Sequence, residues 1–267
     1  MLLIGNGRLV TRDNGLYLEN GAVAIENNLI AEVGTTAELK IRYPKAEWID
    51  ADGGLIMPGL INTHNHIYSA FARGLSIKGY NPHDFNDILE GMWWKIDRLL
   101  TKENDRLSAQ AVYIDCIKNG VTTVFDHHAS YGDIPGSLDT LADTAKAYGV
   151  RTSLCYEVSD RDGEIKTQEA VLENARMIRR AESDTSDMLK GMMGLHAAFT
   201  LSNETLALCK KHTPSSTGFH VHVAEGPGDQ IDSLKKYNKR IVERLFETGV
   251  LGEKTLAIHC VHVNPAE

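Results

Sequence analysis

The chain has 267 residues, 42% of them hydrophobic and 24% charged, which is enough to bury a sizeable core in one large domain or one large and one small domain. Its net charge of −8 is spread along the sequence and argues against a nucleic-acid partner. There is no signal-peptide pattern, no apolar run near the roughly 18 residues of a membrane span, and no CxxC pair among the four cysteines. We therefore expect a cytoplasmic protein that does not contact membranes.

Short strand-like segments separated by turns occupy residues 1–57. The apolar positions partly alternate in LLIGNGRLVT, GAVAIENNLIAEVG and AEWIDADGGLIMPG, which is typical of strands with one buried face. Glu26-Asn27-Asn28 is a predicted hairpin turn, so we expect antiparallel pairing. This region is interpreted as a small β-sandwich portion.

Residues 58–267 alternate short apolar runs with amphipathic stretches of helical length, which predicts parallel strands wound with helices. The periodicity alone does not distinguish a barrel from an open, doubly wound sheet. Helices are expected at 103–119, 138–148, 167–181 and 229–247, and strands at 59–66, 120–128, 149–158, 189–200, 217–226 and 254–263.

Most of the eleven histidines lie on these strands or just past their ends. In a (β/α) barrel the carboxyl ends of the strands meet at one mouth, where catalytic residues sit, so distant histidines would converge there. His64 and His66 are two residues apart on one strand and point to the same face, so both could ligate one metal ion. An isolated HxH also occurs as two polar residues at a strand end.

Four ordered motifs carry a resemblance to a known family. PGLINTHNH is similar to the first-strand motif of the amidohydrolase superfamily, usually written PGxxxxHxH, and GLHAAFT, HVHVAEG and AIHCVHV resemble its fourth, fifth and sixth strand segments. The resemblance extends over essentially the whole chain. It implies a TIM-type (β/α)₈ barrel flanked by a β-sandwich, and a hydrolase that uses metal-activated water.

The resemblance also implies the metal ligands. His64 and His66 match the first two ligands, and His222 matches the ligand on the fifth strand. Branches with two metals place a lysine on the fourth strand, whereas Lys190 here precedes that strand, so one divalent ion is expected. Zn²⁺ is favoured and Fe²⁺ is the alternative. His220 lies deeper on the same strand and is interpreted as a core histidine.

Two catalytic residues follow from the same resemblance. Glu225 matches the carboxylate that takes the proton of the hydrolytic water and passes it to the leaving nitrogen. His259 matches the histidine that contacts this water and stabilises developing charge, and His196 matches a position lining the substrate pocket in heterocycle deaminases. His262 is left as either a supporting or a purely structural residue.

Further substrate contacts are predicted in the loops and strand ends. His127 and His128 end the second strand, and alternation does not decide which of them faces the pocket. We take His128 as the candidate substrate contact. Trp93, beside Trp94, is expected to cover a flat heterocycle, although packing of the loop explains it equally well. Arg73 could anchor an anionic or carbonyl group, or form a surface ion pair.

The branch resembled contains guanine deaminase, adenosine-analogue deaminases and triazine hydrolases, and within it DHHAS, CYEVSDRDG and GMWWKIDRLLT are most similar to the aminohydrolases called SsnA. The resemblance therefore implies hydrolytic deamination of a small purine- or pyrimidine-like heterocycle. The alternatives are a chloride- or amide-releasing hydrolase and an inactive fragment or binding protein. The sequence leaves open whether the chain forms a homo-oligomer.

The sequence departs from the family pattern at its end. Only six strands are recognised from Pro58 onwards, whereas a (β/α)₈ barrel takes about 250 residues. The family's eighth strand normally supplies a metal-binding aspartate, and no segment here matches it. We therefore expect a truncated chain that is unstable or inactive alone, with a histidine set that could still hold a metal weakly.

Overall fold

A computed structural model describes residues 1–11, 15 and 17–267. The chain divides into two compact units, Met1–Leu60 and Ile61–Glu267. Among the described residues, no helix is long and apolar enough to cross a lipid bilayer.

The described strands of the first unit form one sheet with the order β3-β2-β1-β4, and β5 also pairs with β1. Leu3, Ala22, Ala24 and Leu39 form its buried core. The elements are β1 (Leu2–Val10), β2 (Tyr17–Glu26), β3 (Leu29–Thr35), α1 (Thr36–Arg42), β4 (Glu47–Asp50) and β5 (Leu55–Ile56).

The predicted hairpin turn is confirmed, because β2 and β3 pair antiparallel around Asn27 (φ 47°) and Asn28 (φ 68°). Positive φ at both positions matches the right-handed twist of the flanking strands. The antiparallel prediction is wrong for the third segment, since β4 and β5 pair parallel to β1. Helix α1 reverses the chain before β4. Its capping box, formed by Thr35 and Glu38, is a signal that the strand-only interpretation missed.

Helices and strands alternate from Leu60 onwards. The strands are β6 (Leu60–Asn65), β7 (Val121–His128), β8 (Arg151–Tyr156), β9 (Leu189–Gly191), β10 (Met193–Ala197), β11 (Phe219–Val223) and β12 (Leu256–His259). The α-helices are α2 (Phe85–Ile88), α3 (Trp94–Ile96), α4 (Lys102–Lys118), α5 (Ser137–Tyr148), α6 (Glu164–Glu182), α7 (Asn203–Lys211), α8 (Pro227–Tyr237) and α9 (Ile241–Glu247), with a π-helical turn at Leu89–Trp93 and 3₁₀ turns at Ile67–Ala72, Asp97–Leu99 and Ala198–Thr200.

The strands follow one another in chain order, as β6-β7-β8-β9 and β10-β11-β12. The pairs β7–β8, β8–β9, β10–β11 and β11–β12 are all parallel. Backbone hydrogen bonds from Val158 to Gly194 (3.2 Å) and from His196 to Val158 (2.9 Å) join the two groups. The carboxyl ends of these parallel strands therefore lie along one edge, and the predicted α/β class with parallel strands is confirmed.

Two predicted elements are divided in the structure. The segment 189–200 breaks at Met192, whose N–H donates to the carbonyl of Leu154, so β9 pairs with β8 while β10 pairs with β11. The helix predicted at 229–247 becomes α8 and α9, because Asn238 adopts a left-handed φ of 53° that ends α8.

Candidate metal centre

The carboxyl ends of the strands line a cavity of about 290 Å³. Imidazole rings and aromatic side chains make up most of its wall. The lining residues are His64, His66, Tyr68, Ser69, Phe85, Leu89, Trp93, Trp94, Glu157, His196, His222, Glu225 and His259.

His66 and His222 face each other across this cavity, with their Nε2 atoms 3.2 Å apart. Each ring donates its Nδ1–H to a backbone carbonyl at 2.7 Å, that of His127 for His66 and that of His196 for His222. These hydrogen bonds fix the tautomer and leave two Nε2 lone pairs directed at one another. Such an arrangement suits a cation between the rings.

The other histidines complete two groups in which three ligand atoms lie within 4.8 Å of one another. Among the described residues these groups are His64, His222 and His259, and His66, His127 and His222. His64 Nδ1 also lies 2.9 Å from Nε2 of His220, which is almost fully buried. His220 thus orients a predicted ligand and fits its interpretation as a core histidine.

Burial keeps the predicted ligands neutral at pH 7. Loss of solvation, helped by neighbouring histidines, lowers the pKa of His64 to about 3 and that of His66 to about 4. The same causes hold the pKa of His222 well below its usual range. Neutral imidazole is the form that binds a metal ion.

The fit of zinc to this donor set can be tested from one distance. Zinc bound tetrahedrally at about 2.0–2.1 Å from each nitrogen would separate two ligand nitrogens by about 3.3 Å. The His66–His222 separation of 3.2 Å agrees with that value. The His66–His222 pair and its supporting carbonyls therefore fit a divalent zinc- or iron-type ion, while His64 belongs with His222 to the other group of three.

Glu225 and His259 lie together at the rim of the cavity, with Glu225 Oε2 3.4 Å from His259 Nε2. Ala224, directly before Glu225, has a φ of 50°, and its N–H donates to Asp229 Oδ2 at 2.9 Å. His259 itself adopts a φ of 71°. These uncommon backbone conformations turn both side chains into the cavity. Burial, with the charges of Asp229 and Glu157, raises the pKa of Glu225 to about 7.

Two predicted substrate-pocket residues, His196 and Trp93, line the cavity. His196 lies at the end of β10, and its ring contacts Trp94 with centroids 6.0 Å apart. Trp93 packs edge-on against Tyr68 at 6.0 Å. Both tryptophans come from the helical turns after β6, so they serve loop packing and the cavity wall at once.

Two other predicted contacts lie outside this cavity wall, which corrects the sequence interpretation. His128 is fully buried beside α4, with Nε2 2.9 Å from Ser130 Oγ and 3.5 Å from Asp105 Oδ2. Alternation along β7 turns His127 toward the histidine cluster and His128 away from it. Arg73 donates to Asp115 Oδ2 at 2.6 Å in an exposed ion pair, the alternative left open from the sequence.

His262 contributes through its backbone. Its N–H donates to the carbonyl of Ala224 at 3.0 Å, while its side chain is exposed. The hydrogen bond closes the turn that carries Glu225. The structural alternative for His262 therefore agrees with its placement.

Sequence reasoning missed Glu157, which follows β8 and is 3% exposed. Its carboxylate lies 3.5 Å from His127 Nδ1 and 3.9 Å from His196 Nε2. Burial acts to raise the pKa of Glu157, but His196, His127 and Arg161 outweigh it and the pKa is lowered. The signal was its position at the carboxyl end of the strand predicted at 149–158, which is where functional side chains collect.

Parallel strands with a histidine-lined cavity at their carboxyl ends are typical of α/β-barrel proteins that carry a metal site at the mouth of the barrel. The Amidohydrolase family model matches residues 55–267, and the chain belongs to this family. A second model, for an imidazolonepropionase-like composite domain of bacteria, matches residues 21–46.

Curated relatives match essentially the whole chain but are longer. The chain is 29% identical to a 5'-deoxyadenosine deaminase from Methanosarcina barkeri, a match that covers 100% of this chain and 59% of that protein. It is 27% identical to a 5-methylthioadenosine/S-adenosylhomocysteine deaminase from Bacillus cereus, over 98% of this chain and 59% of that protein. The chain thus spans about three-fifths of the length of these relatives.

Solved structures share the fold. Guanine deaminase from E. coli superposes with a TM-score of 0.83 at 20% identity, covering 100% of this chain and 64% of that one. Atrazine chlorohydrolase TrzN from Arthrobacter aurescens, solved with zinc and atraton, superposes with a TM-score of 0.84 at 22% identity, covering 100% and 62%. These neighbours, with the parallel strands, support the expected incomplete TIM-type barrel. The narrower similarity to SsnA stays a prediction.

Proposed function

We propose that the protein containing this chain is a metal-dependent aminohydrolase that deaminates a purine- or pyrimidine-like ring. The observation that carries the proposal is the presence of Glu225 and His259 in the same cavity as the histidine cluster. The deaminase relatives and the guanine deaminase neighbour support this reaction class. In it, water forms a C–O bond at the ring carbon, the C–N bond to the amino group breaks, and ammonia leaves.

His64, His66 and His222 would hold one divalent ion, with zinc favoured and iron as the alternative. Such an ion supplies a water whose pKa is lowered to about 7. The site has donors for this role because the other nitrogens of His66 and His222 are engaged by carbonyls. We expect His222→Ala to lose the metal.

Glu225 is the proposed proton carrier. A pKa of about 7 allows its carboxylate to take a proton from water and return it to the departing nitrogen near neutral pH. His259 lies 3.4 Å from Glu225. We propose that it donates a hydrogen bond to the oxygen that bonds to the ring carbon and so stabilises the negative charge developing there. Trp93 and His196 are proposed to hold the flat ring against the site.

Ammonia release tests the proposal. The zinc-loaded protein would be incubated with adenine-, guanine- and cytosine-type compounds, beside Glu225→Gln and the exposed control Glu243→Gln. We expect ammonia from the wild type and the control, and a fall of about 10²–10⁴-fold in Glu225→Gln with zinc content unchanged. Full activity of Glu225→Gln, or no ammonia from a zinc-loaded wild type, contradicts the proposal.

A second candidate reaction is release of chloride from a halogenated ring. The fold similarity to atrazine chlorohydrolase favours including it. The same incubation with a chlorinated triazine, followed by measurement of chloride, separates it from deamination. Chloride without ammonia would replace the first proposal.

A further inference from the structure

Two ion pairs join the helical turns after β6 to the loop after β8. In the buried pair, both terminal nitrogens of Arg161 donate to the carboxylate of Asp97, and the two side chains are 5% and 1% exposed. The next residue of each segment forms the second pair, in which Arg98 Nε donates to Asp162 Oδ1 at 2.9 Å. The pairs are reciprocal, since each segment contributes one acidic residue and one arginine. The proposed chemistry uses neither pair.

The pairs connect segments that the sequence analysis singled out but whose roles the chemistry leaves open. GMWWKIDRLLT (residues 91–101) contains Asp97 and Arg98, and CYEVSDRDG (residues 155–163) contains Arg161 and Asp162. The third segment, DHHAS (residues 126–130), joins them because the N–H of its Ser130 donates to Tyr156 Oη at 2.9 Å. The three segments therefore contact one another at the carboxyl ends of the strands.

Ring and backbone contacts bring the same segments close together. The guanidinium of Arg161 lies over the ring of Tyr131, with 3.9 Å from Cζ to the ring centroid. The N–H of Gly132 donates to the carbonyl of Asp97 at 3.3 Å. A Cβ atom on Gly132 would lie only 2.6 Å from the carbonyl oxygen of Arg98. Glycine is therefore needed for this close approach of the loop after β7.

The segment held in this way carries two tryptophans of the cavity wall, Trp93 and Trp94. Arg161 faces Trp94, with 5.1 Å from Cζ to the ring centroid, and Arg98 Nη1 donates to the carbonyl of Trp94 at 2.9 Å. Residues 85–99 change from α- to π-, α- and 3₁₀-helix. Interrupted helical segments of this kind depend on tertiary packing for their stability. Contacts outside the segment therefore fix the direction of the two rings.

A buried ion pair constrains geometry more than it stabilises the chain. Desolvation of the two charges offsets most of their attraction. The planar guanidinium must align with the Asp97 carboxylate while it stacks on Tyr131, which permits few placements of the segment. Burial raises the pKa of Asp97 to about 7, although Arg161 acts to lower it, so the carboxylate is mostly charged above pH 7.

We propose that Arg161 is a positioning residue, which holds Trp93 and Trp94 in the cavity wall through its pairing with Asp97. The substrate would touch the tryptophans and not Arg161. This inference rests on the proposed function, because it takes a flat ring to pack against this wall. Loss of the pair should weaken substrate binding and leave the metal in place, since neither Arg161 nor Asp97 belongs to the histidine groups or to the cavity wall.

Tryptophan fluorescence tests the placement of the rings without any substrate. The double variant Asp97→Leu/Arg161→Met removes both charges and leaves no unpaired buried charge. A Trp48→Phe background leaves only Trp93 and Trp94 as tryptophans. At pH 8 we expect the acrylamide quenching constant to rise about 2-fold or more in the double variant, because a loosened segment exposes its rings, with zinc content unchanged.

Further variants separate positioning from a general loss of stability. Gly132→Ala displaces the same segment without altering either charge and should also raise the quenching constant. Arg161→Lys keeps the charge but not the two parallel hydrogen bonds, so its quenching constant should lie between those of the wild type and the double variant. Two controls should leave quenching unchanged: Arg180→Met, which removes ion pairs between α5 and α6, and Glu173→Ala, which removes buried hydrogen bonds far from the tryptophans in sequence.

Steady-state kinetics tests the consequence for substrate. For whichever of adenine, guanine and cytosine the zinc-loaded wild type deaminates, KM should rise about 10-fold in the double variant while kcat changes by less than about 3-fold, because packing of the ring is lost and the reacting groups are kept. A lower kcat with unchanged KM overturns the inference.

The fluorescence result does not depend on the reaction. Equal quenching in the wild type, the folded double variant and Gly132→Ala overturns the inference, whether or not ammonia is released. If the double variant does not fold, Arg161→Lys and Gly132→Ala decide by the same criteria. Increased quenching in these variants, with no ammonia from the wild type, would support the role of Arg161 and contradict the proposed function.

Discussion

Replacing Arg244 by methionine should destabilise the chain and loosen the loop that holds His196. Arg244 is 2% exposed, on α9. It donates to the carbonyls of Ala198 at 2.7 Å and Leu201 at 2.6 Å, and its Nε donates to Asn203 Oδ1 at 2.9 Å. These three acceptors bracket the 3₁₀ turn that follows β10.

The cost follows from the acceptors left behind. Methionine fills much of the same volume but leaves the carbonyls of Ala198 and Leu201 without their charged donor. Each buried unsatisfied group costs roughly 1–3 kcal/mol, so the free energy of unfolding should fall by about 3–5 kcal/mol. For a chain of this size that corresponds to a melting temperature lower by roughly 10 °C.

Urea unfolding followed by circular dichroism measures this loss, with Arg179→Met as the control. Arg179 is exposed on α6, and its replacement should change the free energy of unfolding by no more than about 0.5 kcal/mol. If both variants unfold at the same urea concentration, the hydrogen bonds of Arg244 do not stabilise the chain and the reasoning is refuted.

Three further predictions concern the site and its supports. Folding raises the pKa of Glu225 from 4.5 to about 7, so the stability that protonated Glu225 contributes is complete below about pH 4.5 and is lost as the pH rises through 7. Between pH 5 and pH 8 the metal-free wild type should therefore lose about 1 kcal/mol more stability than metal-free Glu225→Gln, after allowance for solvent screening. Equal urea unfolding profiles of the two proteins across this pH range would contradict this. Glu173→Ala should cost about 2–4 kcal/mol in urea unfolding, because its buried carboxylate accepts two backbone N–H groups at the start of α5 at 3.0 Å, and a change below 0.5 kcal/mol would exclude that role. Asp126 Oδ1 accepts the N–H of Ile67, the residue after His66, at 2.6 Å. Asp126→Ala should therefore weaken zinc binding about 10–100-fold, measured by competition with a chelator. Unchanged zinc affinity would show that this hydrogen bond does not position His66.

The strands of the barrel and the histidines at their ends could be predicted, because the apolar strand pattern and the histidine motifs fall in the same segments of the sequence. Buried parallel strands are short apolar runs, and His64, His66 and His222 lie at their ends. The helix at Thr36–Arg42 and the break at Asn238 were harder to predict, because each depends on only one or two capping residues inside a longer pattern.

The side-chain direction of some site residues could not be predicted from one strand alone. His127 and His128 are adjacent, and only the packing of α4 against β7 shows that His128 points to Asp105. Glu157 lies within CYEVSDRDG, one of the segments compared with SsnA, but that comparison assigns no role to any single residue in the segment. Arg73 pairs with Asp115, which is 42 residues away in the sequence. At that separation the pattern of charges along the chain cannot predict which residues form an ion pair.

Metal content tests the central claim, that the histidine cluster holds one divalent ion. Elemental analysis would be made on the purified chain, on His66→Ala and His222→Ala, and on the control His83→Ala, whose side chain is 85% exposed in a loop. We expect about one equivalent of zinc or iron in the wild type and the control, and loss of the metal in both cluster variants. A folded wild type without metal, or cluster variants that keep it, would contradict the account.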